Sequence, residues 1–198
     1  MKKITLLLAL SAIIFNSSKG FAQAAQQGNI VFNPFYGSPS IGTMLLKSVF
    51  SEAGGSEADF SYLGPVGLNI EYFISDNISV GLEGSYTNIS LESNVDGIQD
   101  KLLLQTTRVY PKFNFHFKTS EKVDPYFSIG GGFKQSNIKY TTNDPESEAD
   151  QESFTPLIPF AFRTALGLRY YVNEHIGFSG EFGFGGGSLF AGGLVFKL

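Results

Sequence analysis

Eight ionisable side chains recur on one face of period-two segments in this sequence: Glu71, Glu83, Arg108, Lys112, Lys134, Arg163, Arg169 and Glu181. Acids and bases mixed at mid-strand depth can pair with one another, and a charge taken out of water without a partner is costly. Two readings of the set stand side by side: a paired network that plugs a narrow interior, or polar residues that the interior simply tolerates. Catalysis asks for more. The only histidines are His116 and His175. His116 shares its face with Arg108 and Lys112 and reads as a packed polar residue, while His175 falls among turn residues. Cysteine is absent, which excludes disulfides, thiolate catalysis and cysteine-held metals. The chain has no G-x-x-x-x-G-K-S/T, no H-E-x-x-H and no G-x-S-x-G. "NDPESEAD" alternates acids without the ligand pattern of a calcium loop. The expectation is therefore a non-enzyme with no catalytic, cofactor-binding or metal-binding residues.

The elements that carry these charges are strands. Period-two segments between turn signals predict strands at about 29–36, 60–74, 77–91, 101–117, 124–141, 155–172, 175–185 and 188–198. The connectors at 75–77, 118–125 and 173–175 are short and polar, whereas those at 37–59, 92–100 and 142–154 are longer. The fourth connector on the long side, near "GGGS" at 185–188, is very short. The 142–154 connector carries five acids and no basic residue, the composition of a solvent-exposed, poorly ordered loop. Within 39–52, Ile41, Met44, Leu45 and Val49 are spaced for an amphipathic helix, and an irregular extension of the first strand fits equally. The "GGG" runs at 130–132 and 185–187 read as room for close packing or tight curvature.

What each face carries decides the surrounding solvent. Tyr62, Gly64, Val66, Leu68, Ile70, Tyr72 and Ile74 oppose Leu63, Pro65, Gly67, Asn69, Glu71 and Phe73. Further on, Val109, Phe113, Phe115 and Phe117 oppose Arg108, Tyr110, Lys112, Asn114 and His116. A soluble sandwich or lipocalin-like barrel would turn the aromatic rows inward and the charged rows to water. With the faces reversed, lipid solvates the Phe, Leu and Ile rows, and a narrow lumen holds small residues and opposite charges. The even strand count, the alternating connector lengths and the aromatics at strand ends (Tyr126, Tyr170, Tyr171) favour the second arrangement. The expected fold is all-β: an eight-stranded antiparallel transmembrane β-barrel of up-and-down topology.

The N-terminus reads as a leader. "MKK" precedes the twelve-residue apolar run "ITLLLALSAIIF" and a small-residue stretch, the layout of a cleaved signal peptide. Cleavage after Ala22 or Ala24 fits, giving a signal at 1–24 and a barrel domain at 25–198. Removing 1–24 leaves 11 basic and 18 acidic residues, a net charge of −7 with no Lys/Arg cluster, so nucleic acid is not an expected partner.

The stretches "GPVGLNIEYFISDNISVGLEGSY", "RVYPKFNFHF…VDPYFSIGGGFK" and "FGGGSLFAGGLVFKL" resemble the small outer-membrane β-barrel proteins of Gram-negative bacteria, the "outer membrane protein beta-barrel domain" or "porin family". The resemblance covers about residues 29–198 and is one of hairpins rather than of a catalytic motif. It implies an outer-membrane location with periplasmic termini and contact with outer-membrane lipids including lipopolysaccharide. It also implies recognition of the last strand by the barrel-assembly machinery, through Leu194, Phe196 and Leu198; the final residue is Leu where the family most often has Phe. The long loops could meet an extracellular partner. The role expected is non-catalytic, in envelope structure or surface interaction; the alternatives are small-solute transport or conductance, and lipid A modification.

Overall fold

The computed structural model describes residues 24–54, 59–95, 97–117, 120–144, 151–154 and 159–198. The leader up to residue 23, residues 145–150 of the acidic connector and the start of the sixth predicted strand, 155–158, lie outside the described residues. In chain order the elements are β1 (Ile30–Gly37), α1 (Ile41–Gly54), β2 (Asp59–Ser75), β3 (Ile78–Val95), β4 (Ile98–His116), β5 (Val123–Thr142), β6 (Gln151–Phe154), β7 (Phe160–Tyr171), β8 (Ile176–Gly185) and β9 (Phe190–Lys197).

All pairings are antiparallel and run β4-β3-β2-β1-β9-β8-β7-β5, and β4 pairs with β5 to close the ring. The short β6 pairs only with the far end of β5, Ile138–Thr141, on the side that β7 occupies lower down. β6 and β7 are thus two pieces of one stave, and the nine strands make an eight-stave barrel. Closure pairs both edges of the staves around the ring, where an open edge in hydrocarbon would be penalised heavily; above the ring, β2 keeps only β3 and β6 only β5 as partner. No described helix is long and apolar enough to cross a membrane.

The wall is uneven. β2 to β5 run 17 to 20 residues, while β1, β7, β8 and β9 run 8 to 12. The longer staves rise past the membrane-spanning length of about 9–11 residues on the rim opposite the chain termini. We call this the distal rim, and the rim at the termini the proximal one.

Three sequence expectations change, and one open alternative is resolved. No loop fills 92–100: β3 and β4 continue until Val95 pairs with Ile98 across the "DG" dipeptide at 96–97, the strongest short signal for a tight hairpin. Part of the predicted acidic loop, Gln151–Phe154, is the strand β6. The 37–59 connector contains the helix rather than a strand extension, and Ser40 caps it, its hydroxyl accepting from the Thr43 N–H at 3.2 Å. In β2 a bulge between Leu63 and Val66 shifts the ladder. Below the bulge, Val66, Leu68, Ile70, Tyr72 and Ile74 face outward as expected; above it the faces exchange, so Leu63 is exposed and Gly64 buried.

The outer face is apolar, from Phe133 and Phe162 to Leu166 and Phe178. Tyr170 belongs to it, but Tyr126 and Tyr171 do not: both are buried in the lumen. The lumen is filled in layers. At the proximal rim Ala24, Ala25, Val31, Phe73, Tyr171 and Val195 form an apolar seal. Lys197 Nζ donates to the Ala24 carbonyl at 2.5 Å and tethers the N-terminal segment there.

Candidate functional site

Directly above the seal lies a fully buried polar layer supplied by β2, β3, β4, β5 and β7. Arg169 is its hub. Its guanidinium donates to both Glu71 carboxylate oxygens through Nη1 and Nη2, and Nη1 also reaches Asp124 Oδ2 at 3.2 Å. His116 bridges the same two acids, with Nδ1 2.7 Å from Asp124 Oδ1 and Nε2 3.1 Å from Glu71 Oε1. Both ring nitrogens thus lie within hydrogen-bonding reach of a carboxylate oxygen. Aromatic faces enclose the layer: Arg169 stacks 4.5 Å from the Tyr126 centroid, and Phe73 lies 4.4 Å from the His116 ring.

The next layer up centres on Glu83 and Glu181. Lys112 Nζ sits between them, 2.9 Å from Glu83 Oε2 and 3.0 Å from Glu181 Oε1. Arg163 grips the other Glu181 oxygen through Nη2 (2.9 Å) and Nε (3.1 Å). Two tyrosine hydroxyls complete the set: Tyr110 donates to Glu83 at 2.5 Å and Tyr126 to Glu181 at 2.7 Å. Tyr126 joins the layers, its ring under Arg169 and its hydroxyl on Glu181.

The β8–β9 turn folds inward over this second layer. Gly185, Gly186 and Gly187 all have φ between +63° and +90°. That left-handed run lets the turn drop into the lumen, where Arg163 Nη1 donates to the Gly185 and Ser188 carbonyls at 3.3 and 3.2 Å. The "GGGS" run is an internal cap on Arg163.

Six of the eight charges predicted from the sequence (Glu71, Glu83, Lys112, Arg163, Arg169 and Glu181) are therefore joined, in two separate clusters. Arg108 and Lys134 are not joined to them. They face each other across β4 and β5 nearer the distal rim, and Arg108 makes one hydrogen bond, to Thr87 Oγ1 at 2.9 Å. His116 belongs to Glu71 and Asp124 rather than to Arg108 and Lys112. Sequence reasoning put Tyr110 on the lumen row without joining it to the charges, read Tyr126 as a strand-end aromatic and missed Asp124, although all three share the even-numbered register of Lys112 or Lys134 along their strands. His175 lies in the β7–β8 turn, with Nδ1 3.0 Å from the Lys197 carbonyl.

One set resembles a hydrolase relay: Ser79 Oγ lies 2.9 Å from His116 Nε2, and His116 Nδ1 lies 2.7 Å from Asp124. Its surroundings oppose attack on a substrate. Ser79 Oγ donates to Glu71 Oε1 at 2.5 Å, and Ser79, His116 and Asp124 are each at most 2% exposed. Bond geometry and burial make the trio part of the inner layer. Among the described residues there is no cluster of three or more His, Asp or Glu that could hold a metal ion.

A closed antiparallel barrel with an aromatic exterior and sealed internal charges is a soluble domain turned inside out, and defines a transmembrane β-barrel of the outer-membrane type. The chain belongs to the outer membrane protein beta-barrel domain family, whose profile matches residues 7–184. Among solved structures it is similar to the N-terminal β-barrel domain of Pseudomonas aeruginosa OprF, at 19% identity and TM-score 0.44, covering 88% of this chain and 100% of that one. It is also similar to Pseudomonas aeruginosa OprG, at 14% identity and TM-score 0.44, covering 87% and 97%. Ail, the attachment invasion locus protein of Yersinia pestis, aligns at 12% identity and TM-score 0.43, covering 87% and 99%. No curated protein matches the chain in sequence.

Proposed function

We propose that the protein is a plugged, non-catalytic outer-membrane barrel that anchors its raised distal rim at the cell surface, with its termini in the periplasm. In this reading its work is envelope structure or surface interaction, carried by the β2–β5 wall and α1. Its outer face meets outer-membrane lipids including lipopolysaccharide, and Leu194, Phe196 and Leu198 of the last strand address it to the assembly machinery.

The observation that carries the reading is the stacking of the apolar seal and two ion-paired layers across the lumen. Eight staves enclose an interior that side chains can fill. The void lined by Asn33, Asn69, Glu83, Ser179 and Glu181 measures about 10 Å³, no more than one water's worth. Planar-bilayer recording tests this. The purified protein should give no conductance steps, and Arg163→Ala, which removes one side of the second layer, should give at most brief flickers. A steady ohmic channel from the unmodified protein would overturn the plug and favour the solute-transport reading.

A further inference from the structure

Arg108 and Lys134 form a directly opposed cross-strand pair on β4 and β5, on the lumen side. Like charges in that relation repel and weaken the ladder. Neither has a carboxylate partner among the described residues. Glu83 and Glu181, the acids of the layer below, are already held by Lys112, Arg163, Tyr110 and Tyr126. The guanidinium of Arg108 keeps one side-chain hydrogen bond, to Thr87, out of the five N–H donors it carries. Among the described residues, two cations thus share one spot without a carboxylate partner, whereas the lumen cations Lys112, Arg163 and Arg169 are all engaged.

Both cations line a cavity of about 330 Å³ at the distal end of the lumen. Its other walls are the inward-folded β8–β9 turn, the first residues of α1, Ser40 to Gly42, and an apolar side formed by Phe160, Phe162 and Phe184 at the upper ends of β7 and β8. The first N–H groups of a helix have no partner within it, and that end carries partial positive charge. The helix is 14 residues long, so its start adds a third source of positive potential to the same wall. At about 30 Å³ per water the cavity has room for a phosphate ester with part of its parent molecule.

We propose that this cavity binds a phosphate- or sulfate-type oxyanion, with Arg108 and Lys134 as its two charged contacts. A doubly charged tetrahedral oxyanion cancels the opposed pair, and its several acceptors match a fork of guanidinium donors beside a point ammonium charge. The ligand group is the same whether it comes from a phosphorylated lipid headgroup in the outer leaflet or from a soluble phosphorylated or sulfated compound. The inference does not depend on the plug.

The cavity wall contains Gly42, Gly183, Gly185, Gly186 and Gly187, so 15N-glycine labelling of the full chain, refolded in zwitterionic detergent, supplies reporters. Inorganic phosphate, titrated against chloride at constant ionic strength, should shift those amide signals saturably and leave Gly28 and Gly97 in place. Arg108→Gln or Lys134→Gln should each weaken the apparent affinity about tenfold, and the double substitution should abolish saturation. Without phosphate, each single substitution should raise the urea midpoint, because it removes the repulsion; a merely structural cation would lower it. Nanodiscs containing lipid A with or without its phosphates separate the sources. Shifts on insertion into the phosphorylated lipid alone identify a headgroup, and shifts only on adding soluble phosphate identify a free ligand. Non-saturating shifts that chloride reproduces, or that persist in the double variant, would overturn the proposal.

Discussion

Replacing Arg169 with Gln should be among the most damaging single changes to this barrel. Arg169 and Glu71 are 0% and 1% exposed, so water cannot take over the pairing. The substitution strands the Glu71 and Asp124 carboxylates with His116 and neutral donors. Removing one partner of a buried pair costs roughly 3–5 kcal/mol. The lost stacking on Tyr126 places the expected cost in the upper half of that range. With a urea slope of ~2 kcal/mol per M, the midpoint falls by about 2 M. The chain has no tryptophan, so unfolding in lipid vesicles is followed by far-ultraviolet circular dichroism and by unboiled gel mobility. Adding Glu71→Gln to Arg169→Gln should recover part of the loss, because it removes a charge that the first change left unpaired. Lys101→Ala is the control: its bridge to Glu92 is about half exposed and should leave the midpoint unmoved. If Arg169→Gln behaves like Lys101→Ala, water reaches the inner layer and the sealed-lumen argument is wrong.

Three further outcomes follow from the same geometry. A Cβ on Gly167 would lie 2.1 to 2.5 Å from the Tyr126 ring, so Gly167→Ala should displace Tyr126 and lower stability by about 1–3 kcal/mol in the same titration. Ser79 should not react with a fluorophosphonate probe in the folded protein, and Ser79→Ala should leave any phospholipid or lipid A turnover by the purified barrel at background. The mature chain should begin at Gln23: cleavage after Ala24 would put the new ammonium on Ala25, which is 1% exposed in the apolar seal. Intact mass spectrometry of the secreted form distinguishes Gln23 from Ala25.

Face assignment was the most legible property of the sequence, because a strand period of two is constant for as long as the ladder is. It failed at the bulge between Leu63 and Val66, where one irregular step exchanged the faces of the residues beyond it. Strand length was less legible. The polar ends of β3 and β4 looked like loop, and only the Asp-Gly pair announced that the hairpin continued. Partner choice was not legible at all. Periodicity places Glu71, Arg108, Lys134 and Arg169 on the lumen face, but partners depend on which staves lie across the lumen and at what height. Glu71 meets Arg169 at a separation of 98 residues, whereas Arg108 meets another cation on the adjacent stave. Asp124 could have been found by counting back from Lys134 in steps of two; its place at a strand start beside Pro125 disguised it as turn.

The stagger of the staves explains why a barrel that lipid already solvates should retain such costly side chains inside. A one-residue slip between neighbouring strands would turn Phe into the lumen and Arg into hydrocarbon, and patterning alone forbids it. A two-residue slip preserves every face. It moves each lumen side chain by about 7 Å along its strand and alters the shear of the closed barrel. Greasy contacts with lipid scarcely change in such a slip, so the outer surface cannot select the register. The charge layers can: a 7 Å shift of β7 takes Arg169 out of reach of Glu71 and Asp124, and separates Arg163 from Glu181, with every group still buried. On this argument the pairs matter less as net stabilisation than as a penalty on each alternative shear, consistent with the register role attested for buried polar groups in other folds.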